Sequence, residues 1–176
     1  MLLDAGRLVE HIRDVPDFPR HGIVFKDITP LLGDSAALRF VVDNLSDHFA
    51  GLGVDKVVGI EARGFIVAAP VAYRLGAGFV PVRKAGKLPW RVEAEEYALE
   101  YGTDRLEIHA DALLPGERVL VIDDVLATGG TARACTRLVE KLGAKVAGLG
   151  FVIELAFLHG RARVEEFEAL SLLSFE

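Results

Sequence analysis

Cysteine is almost absent: Cys135 is the single one in 176 residues. That count excludes an intrachain disulfide and any cysteine-rich metal site. An excess of positive charge is missing as well. Twenty Lys and Arg stand against twenty-six Asp and Glu, a net charge of −6, which argues against bulk electrostatic binding of nucleic acid or of an anionic membrane. A small anion stays open, because a local cradle works through short-range hydrogen bonds. No apolar run approaches the length of a membrane span. Asp4 and Glu10 interrupt the start of the chain, where a signal peptide needs a continuous apolar stretch. The expectation is a soluble protein of the cytoplasm. Internal repeats and low-complexity stretches are lacking too.

What is present is a chain that is 51% hydrophobic, enough for one α/β domain spanning residues 1–176 and hardly enough for two. Residues 2–13 read as a short amphipathic helix stopped before Pro16, and 16–30 as irregular with a compact apolar element at 22–28. A helix is expected over about 35–50, with Leu38, Val41, Val42, Leu45 and Phe49 on one side. Residues 57–60 form a buried strand, 65–75 its following helix and 78–82 the next strand. The charged, proline- and glycine-bearing stretch 84–101 reads as a long hairpin or mobile loop, and 106–108 as a short edge strand. Strands at 119–122, 146–153 and 170–175, with a helix ending near Leu142, complete the pattern. Apolar strands alternating with helices predict an open, mainly parallel sheet covered by helices on both faces.

The most telling run is Val119-Leu-Val-Ile-Asp-Asp-Val-Leu-Ala-Thr-Gly-Gly-Thr131. It reads as a buried strand that ends in two carboxylates, breaks into a small-residue turn and enters a helix. Cys135, Leu138, Val139 and Leu142 share one face of that helix, which places the cysteine in core packing. In the turn Ala127, Thr128, Gly129, Gly130 and Thr131, successive backbone N–H groups can converge, and the helix start adds its unpaired amides: a phosphate cradle. Asp123 and Asp124 would repel phosphate but suit a sugar diol, or Mg²⁺ held through water. Phosphate beside diol suggests a ribose 5-phosphate site. The alternative is a solvated acidic pair followed by an ordinary turn and N-cap. The run is neither a P-loop, since no lysine follows the glycines, nor a dinucleotide-binding Gly-x-Gly-x-x-Gly.

Ligands of open α/β sheets gather at the carboxyl ends of the strands. Besides the acidic pair, two more predicted strand ends carry charge: Glu61-Ala-Arg-Gly64 and Arg83-Lys84. Arg63 can make paired hydrogen bonds to a pyrophosphate, with Gly64 allowing close backbone approach, or it can pair with Glu61 at a helix start. The stretch from Arg83 through Lys84 and Lys87 to Pro89 groups three cations around a glycine.

Val121-Ile-Asp-Asp-Val-Leu-Ala-Thr-Gly-Gly-Thr131 resembles the phosphoribosyl pyrophosphate signature of the type I phosphoribosyltransferases. Four further segments resemble one branch, the adenine phosphoribosyltransferases: Gly22-Ile-Val-Phe-Lys-Asp-Ile-Thr-Pro30, Val57-Val-Gly-Ile-Glu-Ala-Arg-Gly-Phe65, Pro81-Val-Arg-Lys-Ala-Gly-Lys-Leu-Pro89 and Tyr97-Ala-Leu-Glu-Tyr-Gly-Thr103. The likeness extends over essentially the whole chain. It implies that Asp123 and Asp124 face the ribose hydroxyls, with a metal site for Mg²⁺ through water, and that Ala127 to Thr131 bind the 5-phosphate. Arg63, Arg83, Lys84 and Lys87 become the expected pyrophosphate contacts, beside a non-proline cis peptide near Ala62 and Arg63. For the base, Phe25 would cover one face of adenine and Leu155 the other, while backbone around Val24 and Lys26 reads the purine edge. By residue type alone, Phe25 and Leu155 read as core. Many family members carry Arg at the position of Lys26. Glu100 would handle the proton at N7 of adenine, and Tyr101 would lie over the leaving group in a closed lid that keeps water from the ribosyl centre. A small hood from about 1–34 and parts of the C-terminal segment, and a homodimer, are also implied.

The resulting expectation is a pentosyltransferase of purine salvage. It moves 5-phosphoribosyl from 5-phosphoribosyl 1-pyrophosphate to N9 of adenine, giving AMP and pyrophosphate, with no nucleic acid or membrane partner. A 6-oxopurine phosphoribosyltransferase is the competing enzyme, although no lysine follows closely on Thr131 to satisfy an exocyclic oxygen. A ligand-sensing regulator of RNA or DNA would need an added module or a basic face, and neither is legible.

Overall fold

Short apolar runs become strands and stripes of period near 3.6 become helices in the computed structural model, which describes residues 5–98 and 102–176. A short helix α1 (Ala5–Leu8) leads through a 3-10 turn to a hairpin of β1 (Arg13–Pro16) and β2 (Val24–Asp27), then to α2 (Thr29–Gly33) and α3 (Ser35–Phe49). Next come β3 (Lys56–Ile60), α4 (Arg63–Leu75), β4 (Gly78–Lys84), β5 (Val92–Ala98) and β6 (Thr103–His109). The chain continues with β7 (Arg118–Leu126), α5 (Gly130–Lys141), β8 (Lys145–Leu155) and β9 (Ala169–Phe175). Strands β1 and β2 pair only with each other, and the remaining seven form one sheet in the order β5-β6-β4-β3-β7-β8-β9. Six of these run in one direction, and only β6, antiparallel to its neighbours β4 and β5, runs against them.

Alternation along β7 shows how both faces are covered. Val119 and Val121 enter a core with Cys135, Leu138 and Val139 of α5. Leu120 and Ile122, pointing the other way, enter a second core with Val41, Leu45 and Phe49 of α3 and Val67 and Val71 of α4. The predicted open, mainly parallel α/β sheet is therefore present, as is the packing role of Cys135. Burial first, and then the charge of Asp123, push its thiol far up, which leaves it inert as a nucleophile. Asp34 ends the preceding turn and caps α3 by accepting the N–H groups of Ala36 at 2.9 Å and Ala37 at 2.8 Å. Among the described residues no helix is long and apolar enough to cross a membrane.

Four expectations change or narrow. The N-terminal helix stops early, because Arg13 to Pro16 pair with Val24 to Asp27 as a hairpin, and 16–30 is correspondingly more regular than its composition suggests. Of the two readings of the charged stretch 84–101, the hairpin is the one that holds over 92–98: β5 pairs antiparallel with β6 from Val92↔His109 to Ala98↔Thr103. Two of its carboxylates reach α5, Glu95 against Arg137 at 3.2 Å and Glu93 against Lys141 at 3.4 Å, while Glu96 stays exposed. Leu106 to Ile108 are consequently not an edge, since β6 lies between β5 and β4. Finally, β7 runs through the acidic pair to Leu126 instead of ending at it, because β8 continues alongside, pairing Asp123↔Phe151 and Leu126↔Glu154.

Candidate active site

The parallel strands β3, β4, β7 and β8 deliver their carboxyl ends to one rim, and a cleft of about 450 Å³ opens there. Phe25 with its neighbours Val24 and Lys26 forms one part of the wall, and Leu155, the last residue of β8, another. Both Phe25 and Leu155 are only partly buried, and Leu155 packs against the core beside α3 and α4 while still lining the cleft. The ring of Phe25 meets Phe18 edge-on at 5.3 Å and carries the Arg63 guanidinium at 4.9 Å. The side chain of Lys26 turns away to Asp14 at 2.6 Å and lies 4.3 Å from the Phe175 ring centroid, which leaves its backbone to the cleft.

Arg63, Lys84, Asp123, Asp124, Ala127 and Thr131 complete the same wall. The guanidinium of Arg63 donates from Nε to Asp124, so the pairing of Arg63 with Glu61 that the sequence left open is not made. Glu61 serves the other cations instead. Its carboxylate accepts Arg83 Nε and Nη2 at 3.3 Å each, the Lys84 backbone N–H at 2.9 Å, and Lys87 Nζ. Burial opposes the charge of Glu61, but these donors outweigh it and bring its carboxyl from the ordinary 4.5 to about 2. Arg83 and Lys87 are thereby gathered beside the cleft without lining it. The turn that carries Lys87 is tied a second time, from Gly86 N–H to Glu107 at 2.9 Å.

Asp123 and Asp124 are buried, at 8% and 7% exposure. Burial, and then the neighbouring charge of Asp124, hold the Asp123 carboxyl well above its ordinary value. The Asp124 N–H donates to Asp123 Oδ1 at 2.9 Å, which orients that carboxylate. Gly64 serves packing more than anion approach: a Cβ there would stand 2.9 Å from Asp123 Oδ1 and 3.2 Å from the Ile122 carbonyl. Only a glycine lets the start of α4 lie this close to β7. The peptide between Glu61 and Ala62 is cis, as the resemblance implied.

Thr128, Gly129 and Gly130 line a recess of about 70 Å³ that adjoins the cleft and shares Asp123, Ala127 and Thr131 with it. Gly129 precedes α5 with φ near +80°, a left-handed turn that favours glycine, and the first-turn amides of α5 have no carbonyl of their own helix to meet. A recess of this size suits one phosphate group. Glu100 and Tyr101 lie outside the described residues.

Comparison with known proteins agrees with this geometry. Residues 33–169 match the family model of the phosphoribosyl transferase domain. An adenine phosphoribosyltransferase of Acidothermus cellulolyticus is 61% identical over 97% of this chain and 97% of its own length. The chain belongs to the adenine phosphoribosyltransferase family. Among solved structures, the adenine phosphoribosyltransferase of Thermoanaerobacter pseudethanolicus aligns with a TM-score of 0.94 at 50% identity, covering 97% of this chain and 99% of that one. The enzyme of Saccharomyces cerevisiae, solved with adenine and an imino-altritol bisphosphate, aligns at 0.90 and 39% identity, over 96% and 98% of the two chains.

Within this family site, four contributors escape a reading of the sequence alone. Glu61 stood out only as part of a charged strand end, although it organises the cations of β4. Tyr97 and Asp104 meet Lys84 across two strand pairings. Gly160 presses on the cradle from behind, where a Cβ would sit 2.0 Å from the Ala127 carbonyl and 2.7 Å from Gly129 N. For Tyr97 the period-two pattern of β5 is a usable signal, since Glu93, Glu95 and Tyr97 share a face. For Gly160 there is no local signal.

Proposed function

We propose that this chain transfers 5-phosphoribosyl from 5-phosphoribosyl 1-pyrophosphate to N9 of adenine, releasing AMP and pyrophosphate. The supporting observation is the junction of one phosphate-sized recess, one buried acidic pair, a cationic strand end and an apolar wall of Phe25 and Leu155 in a single cleft. Ala127 to Thr131 take the 5-phosphate, and Asp123 and Asp124 accept the ribose hydroxyls. Arg63 and Lys84 meet the pyrophosphate, with Arg83 and Lys87 held within reach by Glu61. A flat neutral base needs two apolar walls and a few placed polar groups, which Phe25, Leu155 and the backbone of Val24 and Lys26 supply. Positive charge fixed near the leaving group is stabilising as the bond to the anomeric carbon breaks, because negative charge grows there. Glu100 is assigned the N7 proton and Tyr101 the cover over the leaving group.

Among the described residues no cluster of three or more His, Cys, Asp or Glu side chains forms a metal cage. Mg²⁺ fits here as an ion brought by the diphosphate, with water between it and Asp123 and Asp124. When bound, it supplies further positive charge to the pyrophosphate. We assign residues 1–34, with parts of the C-terminal segment, to a hood over the base, a cytoplasmic setting, and a homodimer. Ile66 at 47% exposure and Tyr73 at 90%, seven residues apart on α4, support a covered face there.

Turnover with labelled adenine, hypoxanthine, guanine and xanthine tests the base. Adenine is expected to react fastest, and a faster 6-oxopurine would overturn the assignment. Single-turnover rates of Glu100→Gln test the proton role, with a loss of roughly 10²–10⁴-fold expected; an unchanged chemical step removes Glu100 from it.

A further inference from the structure

Polar groups from two parts of the cleft wall meet on one phenol. Tyr97 of β5 is 9% exposed, and its ring lies against the first residue of α5, where a Cβ on Gly130 would stand 3.4 Å from Tyr97 Cδ2. Its oxygen accepts Thr131 Oγ1 at 3.3 Å and Lys84 Nζ at 3.4 Å, and its proton goes to Asp104 Oδ2 at 3.2 Å. A phenol offers one donor and two acceptor directions, so its capacity is filled. Lys84 also donates to Asp104. Burial opposes the charge on both Lys84 and Asp104, but their pairing outweighs it, moving the lysine up and the aspartate down. The framework holding these groups is the sheet itself: Tyr97 is the register partner of Asp104, and Lys84 that of Leu106.

Thr131 belongs to the phosphate recess and Lys84 to the cationic wall. A lysine on four methylenes has no intrinsic position. Here two of its three protons are directed to Asp104 and Tyr97, which leaves the third for the cleft. We propose that Tyr97, backed by Asp104, is a positioning residue that fixes the spacing between the two anion sites. The pair of sites is thereby matched to one ligand with a phosphate at one end and a diphosphate at the other. This rests on the proposed function and extends it from what each site binds to how the two act together. Linking two anions in one molecule raises affinity only when the sites stand at the linked distance, so a loosened hub costs the linked ligand far more than its separate pieces.

The experiment is calorimetry of the full chain and of Tyr97→Phe with ribose 5-phosphate, inorganic pyrophosphate and 5-phosphoribosyl 1-pyrophosphate, all with Mg²⁺. Affinity for the linked ligand is expected to fall on the order of tenfold, with each fragment within about twofold of the parent. In steady state, KM for the linked substrate rises and KM for adenine holds. Asp104→Asn should show the same split, and it carries the comparison should Tyr97→Phe fail to fold. Unchanged affinity for the linked ligand overturns the proposal, and so does an equal loss for all three ligands, which would make Tyr97 a local or merely structural contact. A parent protein that binds none of the three refutes the functional reading itself, independently of Tyr97.

Discussion

Two carboxylates of the cleft respond to pH in opposite senses, because their neighbours differ. Glu61 sits among donors and is drawn to about 2. A depressed carboxyl contributes stability that is present above its unfolded value near 4.5 and is lost as pH falls towards 2. Glu61→Gln is therefore expected to cost about 2 kcal/mol at pH 7 through weakened charged hydrogen bonds, lowering Tm by roughly 4–8 °C. The difference from the parent should shrink below pH 4.5 in thermal melts, and a deficit that persists unchanged to pH 3 would mean packing is responsible. Asp123 carries the other sign. Burial and Asp124 raise its carboxyl, so the folded chain holds that proton more tightly than the unfolded one. The associated stability is complete below the ordinary carboxylate range and is lost as pH rises through the raised value. Asp123→Asn is expected to raise Tm more at pH 8 than at pH 4 while weakening ribose 5-phosphate binding. A variant that melts lower at pH 8 yet binds the sugar phosphate as before would refute both halves.

Between elements, the recess before α5 depends on how closely two irregular segments approach. The turn before α5 and the 3-10 segment Gly160–Arg163 meet at Gly160, where an added Cβ would stand 2.0 Å from the Ala127 carbonyl. Backbone cannot yield there as a flexible side chain would. Gly160→Ala is expected to displace the turn, destabilising the fold by about 1–3 kcal/mol and lowering ribose 5-phosphate affinity about tenfold or more. Calorimetry on the folded variant checks this, and parent-like affinity would show that the recess does not lean on that segment. The same contact governs a substitution at Gly129, such as Gly129→Val. Its Cβ would fall 2.3 Å from the Gly160 carbonyl, so the damage starts in the backbone behind the recess, before any clash with phosphate. Ion pairs between β5 and α5 matter less, since exposed pairs of this kind are worth about 0–1 kcal/mol.

At the scale of the molecule, helices bury both faces of the sheet, yet α4 keeps Ile66 and Tyr73 outward and β4 keeps Phe79 at 39% exposure. Ile66 and Tyr73, seven residues apart and so on one face of α4, are the apolar groups most suited to cover by a second copy. Sedimentation at micromolar concentration is expected to give a dimer, and Tyr73→Glu to shift it towards monomer with the far-UV spectrum unchanged. A parent that sediments only as monomer refutes the homodimer.

Local pattern alone determined the order of strands and helices along most of the chain, the glycine turn before α5, the position of the acidic pair and the placing of Cys135 in the core. Each is written in a few consecutive residues, through period, turn chemistry and the charge at strand ends. Tertiary structure decided what depends on residues far apart. The partner of Arg63 is Asp124, 61 positions away, and the carboxylate that gathers Arg83 and Lys87 lies 22 and 26 positions from them. Charges in β5 left a hairpin and a mobile loop both open until its pairing with β6 decided for the hairpin, and β6 suggested an edge until β5 covered it. Gly160 has a role only because the chain returns to within a carbon's width of Ala127. Periodicity records which face of an element is buried. It does not record which element lies against that face, and the spacing of Lys84 and Thr131 around the cleft is set by that neighbour relation.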